Sequence, residues 1–378
     1  LKRLVLAGGG HAHLAVLQAL ARAPLKGAEV ALVTPVSRQP YSGMLPGWIA
    51  GHYARADLEI DLEPLARRAN VTLLRDRVCD IDANRRCVAL SDGRTLEYDV
   101  LSLDVGSDID TSGLETLGDR LLPLRPIGEF MTRWQGMLTE ARRLPGFRVA
   151  VVGAGAAGVE IALAVRHAFD RERIDGEVCL VSPRDKFLAG HGPGARRRLA
   201  GWARRVGVVL QDGRAVGERE SLLLADGSTI PTNCVIAATG AAPPGWLKGS
   251  GLELDPQGYV AVDARHRSLS HTQVFAAGDV CSRDDPNFAR SGVHAVRAGP
   301  VLAGNLVAVL SGGRLREYRP RRRSLYLLAC GPRSAVASWG NLSVGGAWAW
   351  HWKDRIDRGF VERHSVVSQS VQVGGTQS

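Results

Sequence analysis

A run of β-branched and aliphatic residues that breaks into glycines and then resumes as a helix occurs twice in this chain, about 145 residues apart. The first copy reads Leu4-Val5-Leu6-Ala7-Gly8-Gly9-Gly10-His11-Ala12-His13, with helical spacing to about Ala23 and a second strand from Glu29 to Thr34. The second reads Val149-Ala150-Val151-Val152-Gly153-Ala154-Gly155-Ala156-Ala157-Gly158, with a helix to about Phe169 and a strand from Glu177 to Ser182. In such a unit one glycine permits the tight turn, one lets backbone approach a pyrophosphate, and one lets helix and strand pack closely. The helix N-terminus then offers unpaired N–H groups to the phosphates. A glycine motif alone is weak evidence, and the strand before it and helix after it supply the context it needs. The first copy departs by placing His13 at the third glycine position. That predicts a helix slightly farther from the sheet, or an imidazole turned outward.

Composition removes several classes of function. The 48 Lys and Arg exceed the 38 Asp and Glu by ten, but the excess is arginine, as expected of a coding bias as much as of a nucleic-acid partner, so no nucleic acid is expected. Cysteines 79, 87, 179, 234, 281 and 330 form no CxxC pair and no zinc-like spacing, which points to a reducing compartment, no disulfide framework and no metal. Basic residues before the first apolar run imitate a signal peptide, but two histidines and three glycines interrupt that run. The apolar stretch from Val149 to Val165 is likewise interrupted, and no segment is expected to span a membrane. The expected location is cytoplasmic, with room for peripheral contact on the inner face of the cell membrane.

Short strands are expected at 71–74, 78–82, 87–90 and 98–103 around a turn at Asp92-Gly93, and again at 206–211, 215–217, 221–224 and 235–238 around Asp226-Gly227. Residues 126–144 have helical spacing. Further on, Thr272-Gln273-Val274-Phe275-Ala276-Ala277-Gly278-Asp279 is a short apolar strand ending in Gly-Asp, which exposes a carboxylate at the strand's carboxyl end, where α/β sheets bind ligands.

Taken with Ala238-Thr239-Gly240, these motifs resemble the two-dinucleotide-binding-domain flavoproteins of the pyridine nucleotide-disulfide oxidoreductase superfamily, over roughly residues 1–363. The segment Tyr41-Ser42-Gly43-Met44-Leu45-Pro46-Gly47 lacks the cysteines of the dithiol-reductase branch. The chain is closer to type II NADH dehydrogenases and sulfide:quinone oxidoreductases. The strings GGGHAHL, PYSGMLPGWIAGHY and WHWKDRIDRGF resemble the flavoprotein part of bifunctional selenide, water dikinases. The resemblance implies an α/β fold of two Rossmann-like domains, the FAD domain interrupted by the NAD(P)H domain, plus a small C-terminal segment. Its boundaries are expected at 1–120 and 246–318 for FAD, 121–245 for NAD(P)H, 319–363 for C-terminal strands and an amphipathic helix, and 364–378 for a mobile tail.

By that resemblance Gly8, Gly9, Gly10, His11, Thr34, Gly278 and Asp279 hold FAD, and Gly153, Gly155, Gly158 and Gly240 hold NAD(P)H. Glu160 would lie near the nicotinamide, the flavin and an acceptor such as a quinone, and Lys353 near the flavin. His294 would donate to flavin or quinone from a helix whose dipole faces the flavin. The acidic residue usual after each second strand is absent, since Thr34 and Ser182 stand there. Arg184 could instead pair with a 2′-phosphate, with Asp185 beside it, so the choice between NADH and NADPH stays open. Cys281 is the alternative redox group of a sulfur- or selenium-linked oxidoreductase, and a redox-dependent FAD-bearing binding protein with little turnover is a further alternative. Trp348, Trp352, Ile356 and Phe360 recur every fourth residue and define an apolar helix face that either packs on the protein or lies on a bilayer, aided by Arg314, Arg316, Arg319 and Arg321 to Arg323.

Overall fold

The computed structural model describes residues 1–288 and 290–365. Two five-stranded parallel sheets repeat one plan. In the first, the glycine-turn strand Lys2–Ala7 lies between Ala28–Thr34 and Val100–Leu103; Thr72–Arg75 and Val274–Ala276 complete the edges. In the second, Phe147–Val152 lies between Gly176–Val181 and Cys234–Ala237, with Val208–Gln211 and Leu121–Pro123 outside them. Each sheet also carries a three-stranded antiparallel meander, Val78–Asp82, Cys87–Leu90 and Thr95–Glu97 in one and Ala215–Glu218, Ser221–Leu224 and Thr229–Pro231 in the other. The first sheet is closed only by Val274–Ala276, after the whole second sheet has been made, so one Rossmann-like domain interrupts the other.

The central strands are apolar because both of their faces are covered. Leu4, Leu6, Val149 and Val151 are buried in one large core that also takes Leu14 and Leu17 from the helix His11–Arg22 and Ile161 and Val165 from the helix Ala156–Glu172. The glycine turns are fixed by backbone contact. Gly8 (φ 91°) and Gly153 (φ 104°) lie in the left-handed region, where a Cβ would overlap the main chain of Asp104 and Ala238 respectively.

Several elements differ from the sequence reading. Residues 98 and 99 stay outside the strand Val100–Leu103, and 206 and 207 outside Val208–Gln211, because Val206 caps an arginine-rich helix, Pro193–Arg205, whose weak apolar content hides it in the sequence. His13 does not turn outward. It is fully buried, its Nδ1 donates to the Gly8 carbonyl (2.6 Å) and its Nε2 accepts from the Ser102 hydroxyl (2.8 Å), so hydrogen bonding replaces the missing glycine contact. The helix Gly292–Ser311 is, among the described residues, long and apolar enough to cross a membrane, which the sequence reading overlooked; half of it is buried, and its Gly299 packs on Ala12 and Ala15.

The C-terminal helix Ala347–His364 docks through Ala349, Trp350, Asp357, Phe360, Val361 and His364. Of the expected stripe only Phe360 is buried, whereas Trp348, Trp352 and Ile356 are 51%, 44% and 44% exposed. Residues four apart advance about 40° around a helix of 3.6 residues per turn, so three such steps turn the stripe by about 120°, enough to bury Phe360 while leaving Trp348 exposed. Helix residues end at His364, one position into the expected tail, and the rest of that tail beyond Ser365 lies outside the described residues.

A Cβ at Gly158 would collide with the Gly153 carbonyl oxygen. Gly158→Ala is expected to destabilise the protein by about 1–3 kcal/mol, read as a lower denaturant midpoint at unchanged slope. An unchanged midpoint would mean that the second helix does not depend on this contact.

Candidate active site

The carboxyl ends of the first sheet's strands surround a cavity of about 400 Å³. It runs from Thr34 and Gln39, past Gly8, Gly9 and Gly10, to Asp279 and the start of the helix Gly292–Ser311. The glycines leave the floor open: a Cβ at Gly9 would stand 3.3 Å from Thr34 Oγ1, and one at Gly10 would overlap the Asp104 carboxyl group. Thr34, Gly278 and His11, assigned here from sequence, all line the cavity.

Asp279 is held by a residue that the sequence did not single out. Arg125 Nη2 donates to Asp279 Oδ2 at 2.8 Å, while its Nη1 donates to the Ser107 hydroxyl at 2.5 Å. The other carboxylate oxygen, Asp279 Oδ1, has no hydrogen-bond partner among the described residues, and neither do His11 Nε2 and Ser291 Oγ. Unpaired buried polar atoms are costly. Two of them, on the cavity-lining Asp279 and His11, fit a polar, hydroxyl-bearing ligand that would satisfy them, as the ribityl chain and ring edge of FAD would. Burial, opposed by Asp279, lowers His11 to about 4, so its imidazole is neutral near pH 7. The ring meets Tyr41 and Phe360 edge-on at 5.3 and 5.7 Å.

The second glycine loop is open. A Cβ at Gly155 or Gly240 would meet nothing within 4 Å, so the space at these residues is free for a ligand. Two residues past Gly158, Glu160 accepts from the Ala329 amide at 2.7 Å. Burial raises its carboxyl to about 7, against the pull of Lys353. Lys353 Nζ donates to the Gly43 carbonyl and to Asp357 Oδ2, each at 2.6 Å, and Tyr41 donates to Asp357 Oδ1 at 3.1 Å. Burial would lower the Lys353 ammonium, but Asp357 and Glu160 outweigh it and the net shift is upward. Glu160 and Lys353, distant in sequence, are thus electrostatically coupled, and Asp357 and Tyr41 extend the cluster towards His11. Asp357 could have been found four residues after Lys353; Tyr41 and Arg125 carry no local signal.

Two other candidates stand apart. His294 begins the helix that faces the cavity, but its ring lies against Phe288 and its Nδ1 is 3.2 Å from the Tyr318 hydroxyl; that helix meets the cavity with Gly292 and Ala295 instead. Cys281 is fully buried, with its thiol donating to the Gly278 carbonyl at 3.4 Å, and burial first, then Asp104 and Asp279, push its pKa far up. Burial also raises Cys330, to about 12. Neither thiol has the exposed, electropositive setting that a redox thiolate needs. Arg184 is paired with Asp212 at 2.8 Å.

Two Rossmann-like domains, one interrupting the other, with a polar cavity at the first glycine loop and an open second loop, define an oxidoreductase of the two-dinucleotide class. The pyridine nucleotide-disulphide oxidoreductase family matches residues 2–299, and the chain belongs to that family. It is an enzyme with the family's general FAD- and NAD(P)H-dependent oxidoreductase activity, related to NADH dehydrogenase-like flavoproteins. It is similar to a probable ferredoxin reductase, CtmF, of Castellaniella defragrans, at 25% identity over 75% of this chain and 69% of that one. An NADH dehydrogenase-like protein, YutJ, of Bacillus subtilis is 21% identical over 75% of this chain and 77% of its own. Among solved structures, the sulfide:quinone oxidoreductase of Aquifex aeolicus shares the fold, with a TM-score of 0.80 at 16% identity over 97% of this chain and 92% of that one.

Glu160 gives the site a pH signature. The unfolded chain releases this proton near 4.5 and the folded protein holds it to about 7, so the folded state binds more protons in between and loses stability as pH rises through that window. Glu160→Gln keeps an acceptor for the Ala329 amide and is expected to raise Tm at about pH 8, with a gain that shrinks towards about pH 4.5. A Tm difference independent of pH would contradict the raised carboxyl.

Proposed function

We propose that the protein takes reducing equivalents from NAD(P)H, bound at the second glycine loop, through FAD held at the first, and passes them to a small-molecule acceptor such as a quinone. The observation that carries the cofactor assignment is the pair of unpaired buried atoms, Asp279 Oδ1 and His11 Nε2, on residues that line the cavity at the first loop. Bound FAD supplies the hydride and electron chemistry; the chain supplies binding, orientation and electrostatics. Gly8 to Gly10 and the N-terminus of the helix His11–Arg22 receive the pyrophosphate, Asp279 accepts from the ribityl hydroxyls, and Arg125 keeps Asp279 in place. Glu160, with a pKa of about 7, holds or releases a proton near neutral pH, and Lys353 places a fixed positive charge beside it. Asp279→Ala is expected to yield protein that retains less than about a tenth of the wild-type FAD, since it removes a buried acceptor and strands the Arg125 cation, a loss of well over 1.4 kcal/mol. Gly155→Val, which fills the space above the second loop, is expected to leave FAD bound while slowing reduction by NADH and NADPH in anaerobic mixing; wild-type rates would remove the nicotinamide site from that loop.

The quinone rests on a surface. Trp339, Leu342, Val344, Trp348, Trp352 and Ile356 are exposed, from one β-hairpin and the helix that follows it. The Arg323 guanidinium lies 5.8 Å from the centre of the Trp339 ring, at the end of the arginine run. Tryptophan beside arginine suits the headgroup region of an anionic membrane, where an apolar acceptor dissolves. The relatives' names offer a ferredoxin and a quinone as acceptors, and this patch favours the quinone. The protein is expected to sediment with anionic vesicles at low salt and to be released at high salt, and Trp352→Glu is expected to weaken this with FAD and fold retained, because Trp352 is exposed. Absence of vesicle binding would favour a soluble acceptor.

A further inference from the structure

The two glycine loops follow one plan but differ at a pair of facing positions. In the second loop, a Cβ built on Gly158 would stand 3.3 Å from the Ala238 Cβ, an uncharged contact between a helix start and the neighbouring strand's end. Gly8 meets the main chain of Asp104 as Gly153 meets that of Ala238, so Asp104 and His13 are the first loop's counterparts of Ala238 and Gly158. Where the second half has an alanine under a glycine, the first has a carboxyl under a histidine.

Asp104 is only 4% exposed and forms part of the cavity wall. Its Oδ2 accepts from the His13 amide at 2.9 Å, and its Oδ1 lies 2.6 Å from where a Cβ on Gly278 would stand. The carboxyl therefore stands at the N-terminus of the helix His11–Arg22, beside the amides that receive a pyrophosphate. The ionisable groups around it bring no cation of their own. His11 and His13 are each lowered to about 4 by burial, Cys281 is a buried thiol, and Asp279 adds a second carboxylate whose Oδ2 already engages Arg125. No ion pair reaches Asp104 among the described residues.

Resting on the FAD assignment above, we infer that Asp104 is a proton-linked cofactor-binding residue: it takes up a proton when the pyrophosphate occupies the first loop, and its ionisation favours release of the cofactor. A pyrophosphate brings two negative charges to the same helix end, and a third on Asp104, in a region shielded from water, opposes them. Protonation removes that charge and keeps the acceptor for the His13 amide. Burial already pushes the Asp104 carboxyl well above the usual range, against the His13 and Ala12 amides that favour its anion, with Asp279 raising it further. The cofactor raises it again, so binding consumes a proton at any pH between the two values.

The sign follows from linkage: affinity for FAD falls as pH rises through that interval, by at most about tenfold per pH unit. The holoprotein is diluted at a series of pH values spanning the range over which it stays folded, and the fluorescence of released FAD gives the dissociation constant, which is expected to rise at least about fivefold from the lowest to the highest pH. Asp104→Asn, which keeps the side-chain shape and cannot ionise, is expected to flatten the dependence. A flat wild-type profile, or an unchanged slope in Asp104→Asn, overturns the inference. If Asp104→Asn does not fold, calorimetry of wild-type FAD binding in two buffers of different ionisation heat counts the protons directly: an uptake approaching one supports the inference and zero overturns it. Protein that takes up no FAD at any pH refutes the cofactor assignment itself, whereas pH-independent FAD binding refutes only the role of Asp104.

Discussion

In both halves of the chain, main chain meets main chain where a glycine turn leaves its strand. Gly8 rests on Asp104 and Val105, and Gly153 on Ala238 and Thr239, at distances that leave no room for a side chain. This contact fixes the helix behind each turn against the sheet and leaves its first amides pointing beyond the strand ends. It also forces the strand that supplies the contact to lie next to the glycine strand, which gives both sheets the same order. The remaining architecture, including the late arrival of Val274–Ala276 at the edge of the first sheet, brings Asp279 and the helix Gly292–Ser311 to the mouth that this contact has opened.

The halves then diverge in chemistry. The first encloses its loop with polar groups, the buried His13 and Asp104 and the half-buried His11 and Asp279, and suits a cofactor that stays. The second keeps Gly155 open to solvent and backs its loop with a plain Gly158–Ala238 contact, which suits a ligand that comes and goes. The C-terminal helix contributes Lys353 and Asp357 on its inner side and Trp348 and Trp352 on its outer side. One element thus serves both the proton-holding cluster and the exposed surface.

The repeat itself was legible in the sequence because close backbone approach admits only glycine and because strands covered on both faces must be apolar. The same logic located the Gly278-Asp279 strand end. Groups joined only by tertiary folding were not legible. Arg125 reaches Asp279 across 154 residues, and Tyr41 reaches Asp357 across 316. His13 looked like a defect until its hydrogen bonds to Gly8 and Ser102 were visible, and the tryptophan stripe was assigned a single face because a four-residue spacing was read without its drift around the helix. The helix Pro193–Arg205 escaped notice because arginine dominates it and few apolar residues mark its period.

The central claim is that the first loop holds an FAD which the nicotinamide cofactor can reduce. Its most direct test is the flavin content of the purified chain: the protein is denatured, the released flavin is identified and counted, and the undenatured protein is mixed with NADH or NADPH without oxygen. One FAD per chain, and none of the mononucleotide, with bleaching of the flavin absorbance by at least one of the two nucleotides, is the predicted result. A colourless chain that also fails to take up added FAD would contradict the account.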